Sequence, residues 1–498
     1  MLDFIRSPKF LYLSVFLVGV VLRGIPELMV SRYPIGYETI TWYAPRMMAF
    51  YEKSLVDIFA NHFGTGLLFY TMMWFVCVAS RADVYLILKV VGPILYGCLA
   101  FSFFLFLRNG LKFDNEMAFL AAFICILQPA TLRISWDRFE TITGLIPLFL
   151  TLSALRSDFR WKWPLTAILA VVTTLSRELI AAVLLAILMG YMILEKKDRK
   201  KVLLVFASSF MIFMLMISPY FGFQLIQKNP STRVTVVQFG QAGPIPVLVN
   251  YLSSQSTWMG YAKLLSTVFL LFIFTYLFLI YFVLKGVCRD KVLDPMVAWL
   301  LVGSFSLVII PWMAIPGYER WQMMLVFPFS AYATIGLGRL RLLSVDKLKA
   351  LTIIVLILTT VGIGYSTGVL SYPTITWVPA NLVQSSIDIS QIDDSIKCLE
   401  WLDGTAVSNS CLITEERFYG WASIYLNDDI RLVLYPAPGT ISISMLPDHD
   451  LLDLALETAV EHGFTHIYLI WYTDSLPGDF KNVHTQNGIS IFQYLMQE

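Results

Sequence analysis

Charged residues are scarce in this 498-residue chain: Asp, Glu, Lys and Arg make up only 14% of it, and 57% of the residues are apolar. An ordinary soluble domain carries about 25% charged residues, so the polar covering of a large soluble core is missing. Apolar runs of about 18 residues or more recur along the chain, and each is long enough to cross about 30 Å of hydrocarbon. The composition excludes a soluble globular protein and predicts a polytopic α-helical membrane protein.

Histidine and paired cysteines are also scarce. His62 is the only histidine before residue 449, which excludes a histidine-rich metal site in the apolar part. None of the six cysteines forms a CxxC pattern, so no zinc site is expected. Cys398 and Cys411 lie late in the chain, where an extracytoplasmic location would allow a disulfide. The first apolar segment is followed by no A-x-A-like cleavage site, so we interpret it as a retained span.

The sign of the charge changes along the chain. After residue 370 there are 17 acidic and 4 basic residues, whereas residues 1–370 contain 18 acidic and 32 basic residues. This shift predicts a membrane domain over 1–370, a linker over 371–395 and a soluble domain over 396–498. Strand and helix patterns alternate in the last segment, which indicates a small α/β domain. The basic residues lie in short loops between spans, a distribution that suits lipid phosphates and not nucleic acid.

Eleven apolar segments are predicted to be membrane spans: 9–22, 84–107, 117–134, 141–155, 163–176, 178–194, 202–223, 263–285, 292–314, 320–340 and 349–370. Lys and Arg collect in cytoplasmic loops. With the basic loop 195–201 inside, the N-terminus is cytoplasmic and the C-terminal domain extracytoplasmic, provided that 63–80 does not cross. We therefore predict that 63–80 is a juxtamembrane or re-entrant helix within a long first outer loop from Arg23 to Asp83. A twelfth span at 63–80 is the open alternative.

The irregular outer segments are where chemistry is expected, because irregular backbone cannot face lipid. Glu38 lies on a turn in "YPIGYET", where it is either a general base or metal ligand facing a cavity, or a solvated loop acid. Apolar surroundings would raise the pKa of this acid, which suits proton abstraction. Tyr37 and Tyr43 beside it are interface anchors or sugar-stacking residues.

Two further outer turns carry charge. In "RISWDRFE", Asp137, Arg138 and Glu140 lie between two adjoining spans, and Asp137 and Glu140 share a face if this end is helical. The alternative is an interfacial ion-pair cluster. Arg177 and Glu178 interrupt an apolar run, either as a tight turn between spans or as part of the border of the same cavity.

Basic residues on the outer side are candidate phosphate ligands. Lys228 and Arg233 lie in the loop 224–262, which has no acid and is either a basic lid or a mobile connector. Arg320 opens a late span, where it either binds phosphate oxygens or snorkels to the interface. The only cofactor left open is a divalent cation on Glu38 and Asp137, where carboxylate ligands favour Mg²⁺ or Mn²⁺ over zinc.

The order of these motifs resembles the C-type (GT-C) membrane glycosyltransferases. Four features carry the resemblance: an acid in the first outer loop ("YPIGYET"), juxtamembrane helices after it, a polar outer turn after the third span ("SWDRFE"), and a late Arg opening a span ("ERWQMMLVFPFSAYA"). An acidic soluble domain at the end of the chain also fits. The resemblance implies transfer of a sugar from a polyprenyl-phosphate donor to a lipid, glycan or protein acceptor at the outer membrane face.

The resemblance also implies roles for individual residues. Glu38 would deprotonate or orient the acceptor, Asp137 would assist at the acceptor or a metal, and Arg320 would hold the donor phosphate. Among the remaining candidates, the further phosphate ligands are Arg177, Lys228 and Arg233. The acceptor-binding or cavity-lining residues are Arg138, Glu140, Glu178, Tyr37, Tyr43 and His62. Two other classes stay open, a transporter or lipid flippase and a non-catalytic membrane scaffold. Most spans have uncharged centres, which disfavours a transporter.

Overall fold

A computed structural model gives the structure of the chain. It describes residues 8–29, 32–36, 43–51, 53–62, 66–217, 234–236, 258–309, 318–339, 345–370, 375, 378–379, 382–384, 387–427, 429–434, 449–473, 476 and 479–495. These residues form a large helical part, which is followed by a small domain built on a six-stranded sheet.

The helices of the first part are α1 Pro8–Met29, α2 Ala44–Met48, α3 Leu55–His62, α4 Leu67–Ser80, α5 Val84–Leu105, α6 Asn115–Ile126, α7 Pro129–Asp137, α8 Phe139–Arg156, α9 Lys162–Ser176, α10 Glu178–Leu194, α11 Arg199–Ile217, α12 Trp258–Gly286, α13 Leu293–Ile309, α14 Tyr318–Met324, α15 Val326–Arg339, α16 Val345–Thr359 and α17 Tyr365–Val369. π-helical turns extend α5 over Phe106–Gly110 and join α16 to α17 over Thr360–Gly364. Apart from short breaks and end residues, each predicted span falls on helix wherever the structure describes it.

The fold class predicted from the sequence, a polytopic helical membrane protein with a small α/β domain, is confirmed. Among the described helices, six are long and apolar enough to cross a membrane, or seven if the bent pair α6 and α7 forms one span. The number of eleven spans stays a prediction. The short helices α2, α3 and α4 follow α1, as expected for juxtamembrane helices. At about 1.5 Å per residue, α4 is about 21 Å long, which is shorter than the hydrocarbon layer.

The first span is longer than predicted. Helix α1 continues to Met29, so Arg23 belongs to the helix and not to the loop. Pro26 lies inside the helix and has no N–H to donate to the carbonyl of Leu22. The Tyr365 hydroxyl, from α17, donates to that carbonyl instead at 2.9 Å. A neighbouring helix therefore satisfies the backbone group that the proline leaves open.

The predicted span 117–134 is not one straight helix. Helices α6 and α7 are bent by 62° at a break that ends at Pro129. The carbonyls freed by the bend are satisfied by side chains: Tyr96 donates to Ile126 at 2.6 Å, and Thr360 donates to Leu127. Such compensation is required wherever a helix is broken within an apolar surrounding.

Close packing of two helices depends on glycine at one crossing. A Cβ atom on Gly286 of α12 would lie 1.7 Å from the carbonyl oxygen of Tyr332, and one on Gly336 of α15 would lie 1.9 Å from that of Phe282. Any side chain at either position would force the two backbones apart. The glycines therefore set the separation of α12 and α15.

The C-terminal domain contains β1 Val234–Val236, α18 Ile392–Thr405, β2 Ser410–Thr414, α19 Glu416–Tyr425, β3 Arg431–Leu434, α20 His449–Glu461, β4 His466–Trp471, β5 Phe480–Gln486 and β6 Ile489–Tyr494. The strand order is β1-β3-β2-β4-β6-β5. The first four strands in this order are parallel, and β6 and β5 are antiparallel to their neighbours. Gly463, with φ +77°, follows the end of α20, where the left-handed conformation favours glycine.

The strand β1 comes from the segment 224–262, which the sequence predicts to be a lid or connector. It pairs with β3, so this segment and the C-terminal domain lie on the same side of the helical part. Between them the chain passes through α12, α13, the α14–α15 pair and the α16–α17 pair. The predicted topology requires an even number of membrane crossings over these helices, and this number stays a prediction.

The proposed disulfide between Cys398 and Cys411 is wrong, because both residues are free thiols. Cys398 lies on α18 and packs in the same core as Leu412, whereas Cys411 belongs to the core under α20. Adjacent residues of a strand point to opposite faces of a sheet. The two sulfurs are therefore separated by the sheet.

The segment predicted to be a linker is packed in its described parts. Val378, Leu382, Val383 and Ile387 are buried. The N–H of Gln384 donates to the carbonyl of Thr367 at 2.8 Å, which ties the segment to α17. Helix α18 already begins at Ile392. This segment is therefore a structural joint between the helical part and the sheet domain.

Candidate active site

The predicted outer turn "SWDRFE" is a sharp change of chain direction. Arg138 has φ −127° and ψ 55°, so α7 ends at Asp137 and α8 begins at Phe139. The expectation that Asp137 and Glu140 share one helical face is therefore wrong: they belong to different helices. The Arg138 side chain is buried, and its Nε and Nη1 atoms have no hydrogen-bond partner among the described residues.

Arg138 brings the early and late predicted motifs together. Its Nη2 atom lies 3.7 Å from Glu319 Oε1, in the first turn of α14. Arg320 Nε lies 3.7 Å from the same Glu319 oxygen. One carboxylate is thus flanked by two guanidinium groups. Such an arrangement suits an anion, because guanidinium groups bind phosphate oxygens well.

Glu140 is the centre of a second buried cluster. Its Oε2 atom lies 3.3 Å from Arg177 Nη1, and the Tyr70 hydroxyl forms a hydrogen bond with the same carboxylate. Arg46 in turn donates to the Tyr70 oxygen. Gly66 at the start of α4 passes so close that a Cβ atom there would lie 2.7 Å from Glu140 Cγ. Arg177 and Tyr70 thus both contact this carboxylate, which favours a structural role for Glu140.

Arg177 is occupied by neighbouring side chains. Arg177 is the single residue between α9 and α10, and its backbone is extended. The two helices are therefore joined by a tight turn. The Arg177 side chain is buried. Besides Glu140, it donates to Thr141 Oγ1 at 2.9 Å and lies 4.0 Å from Glu178. This arrangement favours an anchoring role for Arg177 over the predicted role in phosphate binding.

Arg46 remains charged within this cluster. Burial tends to lower the pKa of its guanidinium, but the nearby Tyr70 and Glu140 raise the pKa above its usual value. The short helix α2 places this cation between the first loop and α4. The sequence analysis missed both Arg46 and Tyr70, because neither stands in a motif.

Tyr43 and His62 are packing residues of the same region. The Tyr43 ring stacks on Phe139 with centroids 5.4 Å apart, and His62 stacks on Tyr70 at 3.9 Å. Both side chains are buried. The stacking of Tyr43 on Phe139 joins the first loop to the start of α8, and the stacking of His62 on Tyr70 joins α3 to α4.

Four predicted site residues lie outside the described residues: Tyr37, Glu38, Lys228 and Arg233. Of Asp137 only the backbone is described. Within the described residues, no group of three or more His, Cys, Asp or Glu side chains could hold a metal ion. The cation site on Glu38 and Asp137 therefore stays a prediction.

Arg23 and Glu27 are further polar residues that the sequence analysis did not single out. They form an ion pair of 2.7 Å within α1, and both side chains are buried. The sequence contains a signal for this pair, because Arg23 and Glu27 are four residues apart and oppositely charged residues at that spacing lie on one helical face. It was missed because the first span was predicted to end at residue 22.

The C-terminal domain covers the first loop. Trp421 of α19 makes an edge contact with Tyr33, with ring centroids 5.1 Å apart, and it lies 6.5 Å from Tyr85 at the start of α5. Trp421 and Tyr33 are both buried. The turn that precedes Glu38 in the chain thus lies beneath the soluble domain.

Solved structures of other proteins are similar to this chain, whereas comparisons of sequence find no match. No protein-family model matches the chain, and no curated protein matches it in sequence. The crystal structure of the Archaeoglobus fulgidus oligosaccharyltransferase in the apo form is similar over 93% of this chain and 70% of that one, with a TM-score of 0.51 and 14% identity. The cryo-EM structure of the mycobacterial arabinofuranosyltransferase AftD is similar over 97% of this chain and 40% of that one, with a TM-score of 0.49 and 10% identity.

At this level of identity, the likeness to the archaeal structure is one of fold. It extends over nearly the whole chain and includes both the helical part and the C-terminal domain. The chain therefore shares the fold of the archaeal oligosaccharyltransferase.

Proposed function

We propose that the protein is an inverting glycosyltransferase that moves a sugar from a polyprenyl-phosphate carrier to an acceptor at the outer membrane face. The observation that supports this best is the approach of Arg138 and Arg320 to one carboxylate, Glu319. These contacts bring the "SWDRFE" and "PGYER" segments together, although they are far apart in the chain. The two arginines therefore lie close to each other, and Asp137 precedes one of them in the sequence. The GT-C fold agrees with this assignment.

The proposed reaction is a single displacement. The oxygen or nitrogen of the acceptor attacks the anomeric carbon of the sugar. At the same time, Glu38 takes the proton of that acceptor hydroxyl or amide. The bond between that carbon and the phosphate oxygen breaks, and the lipid phosphate leaves with the electron pair. Arg320 and Arg138 stabilise the negative charge on the departing phosphate, and Asp137 orients the acceptor.

The membrane orientation is part of the proposal. Cytoplasmic basic loops would put the C-terminal domain outside, together with the turn at Tyr33 that it contacts. In this arrangement the acceptor enters between the soluble domain and the first loop. Labelling of single cysteines introduced at exposed Lys197 and Asp429 with an impermeant reagent tests the orientation. Labelling of the second position alone in intact cells is expected, and labelling of the first alone would overturn it.

The function is tested with purified protein in liposomes that contain a polyprenyl-phosphate-linked sugar labelled on the sugar. Transfer to acceptor is expected for the parent, and Glu38→Gln is expected to lose at least about 10²-fold in kcat. Glu116→Gln, at the exposed start of α6, is the matched control and should retain full activity. Addition of EDTA and then of Mg²⁺ or Mn²⁺ tests the proposed cation.

Two outcomes would favour the other classes. Movement of the intact labelled lipid between leaflets without sugar transfer would indicate a flippase. Full sugar transfer by Glu38→Gln would remove that residue from the role of base. If sugar transfer and lipid movement are both absent with every carrier tested, the result would support a scaffold.

A further inference from the structure

The ion pair in the first helix has no part in the reaction proposed above. Arg23 is 0% exposed and Glu27 is 3% exposed, and the closest pair of their atoms is 2.7 Å apart. A charged residue in a membrane helix costs about 2.5–3.5 kcal/mol on insertion scales, and such residues are usually functional. The contacts of this pair indicate what it does.

Arg23 holds the last turn of α7. Its Nε atom donates to the carbonyl of Ser135 at 3.3 Å, and its guanidinium carbon lies 4.3 Å from the centre of the Trp136 ring. Ser135 and Trp136 immediately precede Asp137. One member of the pair thus fixes the helix end that carries the second predicted acid.

Glu27 holds the turn in the first loop. The N–H of Ile35 donates to both oxygens of its carboxylate, at 3.3 and 3.2 Å. Ile35 lies in the "YPIG" turn and is buried. Glu38 follows it in the chain after Gly36 and Tyr37. The second member of the pair thus fixes the turn that precedes the predicted base.

Neighbouring glycines leave room for this arrangement. A Cβ atom on Gly92 of α5 would lie 3.1 Å from Arg23 Nη2. One on Gly368 of α17 would lie 2.9 Å from Trp136 and 3.2 Å from Ile35. The pair and both segments that it contacts are therefore enclosed on two sides by helix backbone.

We propose that Arg23 and Glu27 are positioning residues that hold the first-loop turn and the end of α7 at a fixed separation. The inference rests on the proposed function, because it concerns the segments that carry Glu38 and Asp137. Water cannot replace these contacts inside a membrane, so the paired charges have one favourable arrangement. Apolar side chains at the same positions could pack against the two segments in several arrangements. A displacement of about 1 Å at a reacting group can cost about 10²-fold in rate.

The test is the double variant Arg23→Leu with Glu27→Leu, assayed for sugar transfer. Replacement of a whole buried ion pair by apolar residues is often neutral or stabilising, so the variant should fold. We expect kcat to fall about 10²-fold while KM for the lipid donor stays unchanged, because Arg138 and Arg320 are intact. A kcat within about threefold of the parent overturns the inference.

A second variant covers the case in which the double variant is unstable. Arg23→Lys keeps the charge and the ion pair, but an ammonium group cannot also donate to Ser135 and stack on Trp136 as a planar guanidinium does. We expect kcat to fall about tenfold at unchanged thermal stability. Parental kcat in this variant contradicts the inference.

Two glycine variants form a matched pair. Gly92→Ala crowds the Arg23 guanidinium and should lower kcat, whereas Gly24→Ala places its Cβ atom 3.9 Å from Pro93, an ordinary contact, and should not. Glu38→Gln in the same assay separates the two hypotheses. If the parent transfers no sugar, the proposed function fails, and if Glu38→Gln retains transfer, Glu38 is not the base; if Glu38→Gln is inactive while the Arg23 and Glu27 variants are fully active, only the positioning inference fails.

Discussion

Arg177 Nη1 lies 3.3 Å from Glu140 Oε2, and this ion pair joins the start of α8 to the turn between α9 and α10. Tyr70 and Arg46 extend the cluster to the juxtamembrane helices. Four segments that are far apart in the sequence thus meet at one carboxylate. The geometry makes Glu140 a structural anchor beside the proposed reaction centre.

Glu140→Gln should destabilise the protein strongly. The substitution removes the carboxylate charge nearest to the buried Arg177, and removal of one partner of a buried pair costs about 3–5 kcal/mol. The measurement is thermal unfolding of the detergent-solubilised protein. Glu178→Gln, next to the same Arg177 but one-third exposed, should cost at most about 1 kcal/mol. Equal stability of the two variants would contradict the anchoring role.

Arg138→Gln should impair transfer without loss of the fold. Removal of one preorganised donor to a developing negative charge costs about 10²–10³-fold in kcat. Arg320→Gln should act in the same direction. If both side chains bind one phosphate, as proposed, the double variant should lose less than the product of the two effects. Arg199→Gln, exposed at the start of α11, is the control and should have parental kinetics. Unchanged kinetics of Arg138→Gln would exclude this guanidinium from the reaction.

Gly336→Ala should separate α12 from α15. Its new Cβ atom would collide with the carbonyl of Phe282, and overpacking of this kind costs about 1–3 kcal/mol or more. Gly338→Ala, in the same helix with no described atom within 4 Å of its Cβ position, should be neutral or stabilised by up to about 1 kcal/mol. Thermal unfolding of both variants measures the difference, and a stable Gly336→Ala variant would refute the close contact.

Trp421→Ala should release the C-terminal domain from the first loop. The truncation of a fully buried tryptophan costs about 3–5 kcal/mol and removes the edge contact with Tyr33. Limited proteolysis of the first loop is expected to become faster. Trp401→Ala, whose ring stacks on His484 within the same domain, is expected to leave the loop protected. Similar protection in the two variants would contradict the proposed docking contact.

Cys398 and Cys411 should remain free thiols even where disulfides form. Burial raises the pKa of each thiol to about 12, so both stay protonated at neutral pH and react slowly in the folded protein. Denaturation without reductant followed by alkylation should label both, which mass spectrometry of their peptides detects. An unlabelled, linked pair of peptides would mean that the sheet does not separate them.

Much of the fold could be predicted because its signals are local. Apolar length placed each predicted span on helix, and alternation of strand and helix patterns identified the α/β domain. The failures have a common cause. Pro26 suggests an early end to α1, and the bend at Pro129 is invisible in a continuous apolar run, because distant side chains of Tyr365 and Tyr96 stabilise both features.

The site could be predicted only in part. The segments with Arg138, Arg177 and Arg320 were identified from charge that interrupts apolar sequence. Their roles could not be assigned in this way, since the partner of each charge lies in another helix. Arg177 was expected to bind phosphate and is occupied by Glu140, whereas Arg138 retains nitrogen atoms without a partner among the described residues.

By itself, the sequence determined that this is a multi-pass helical membrane protein with a small α/β domain, and which outer turns carry charge. Hydrophobic length, turn residues and charge distribution act over a few neighbouring residues, so they can be recognised without a structure. Only the tertiary structure decided which charges pair, that β1 joins the C-terminal sheet, and that Arg23 and Glu27 link two outer segments. Those outcomes depend on how helices cross and bend, because the free energy of a buried charge is set by whichever partner the fold brings within reach.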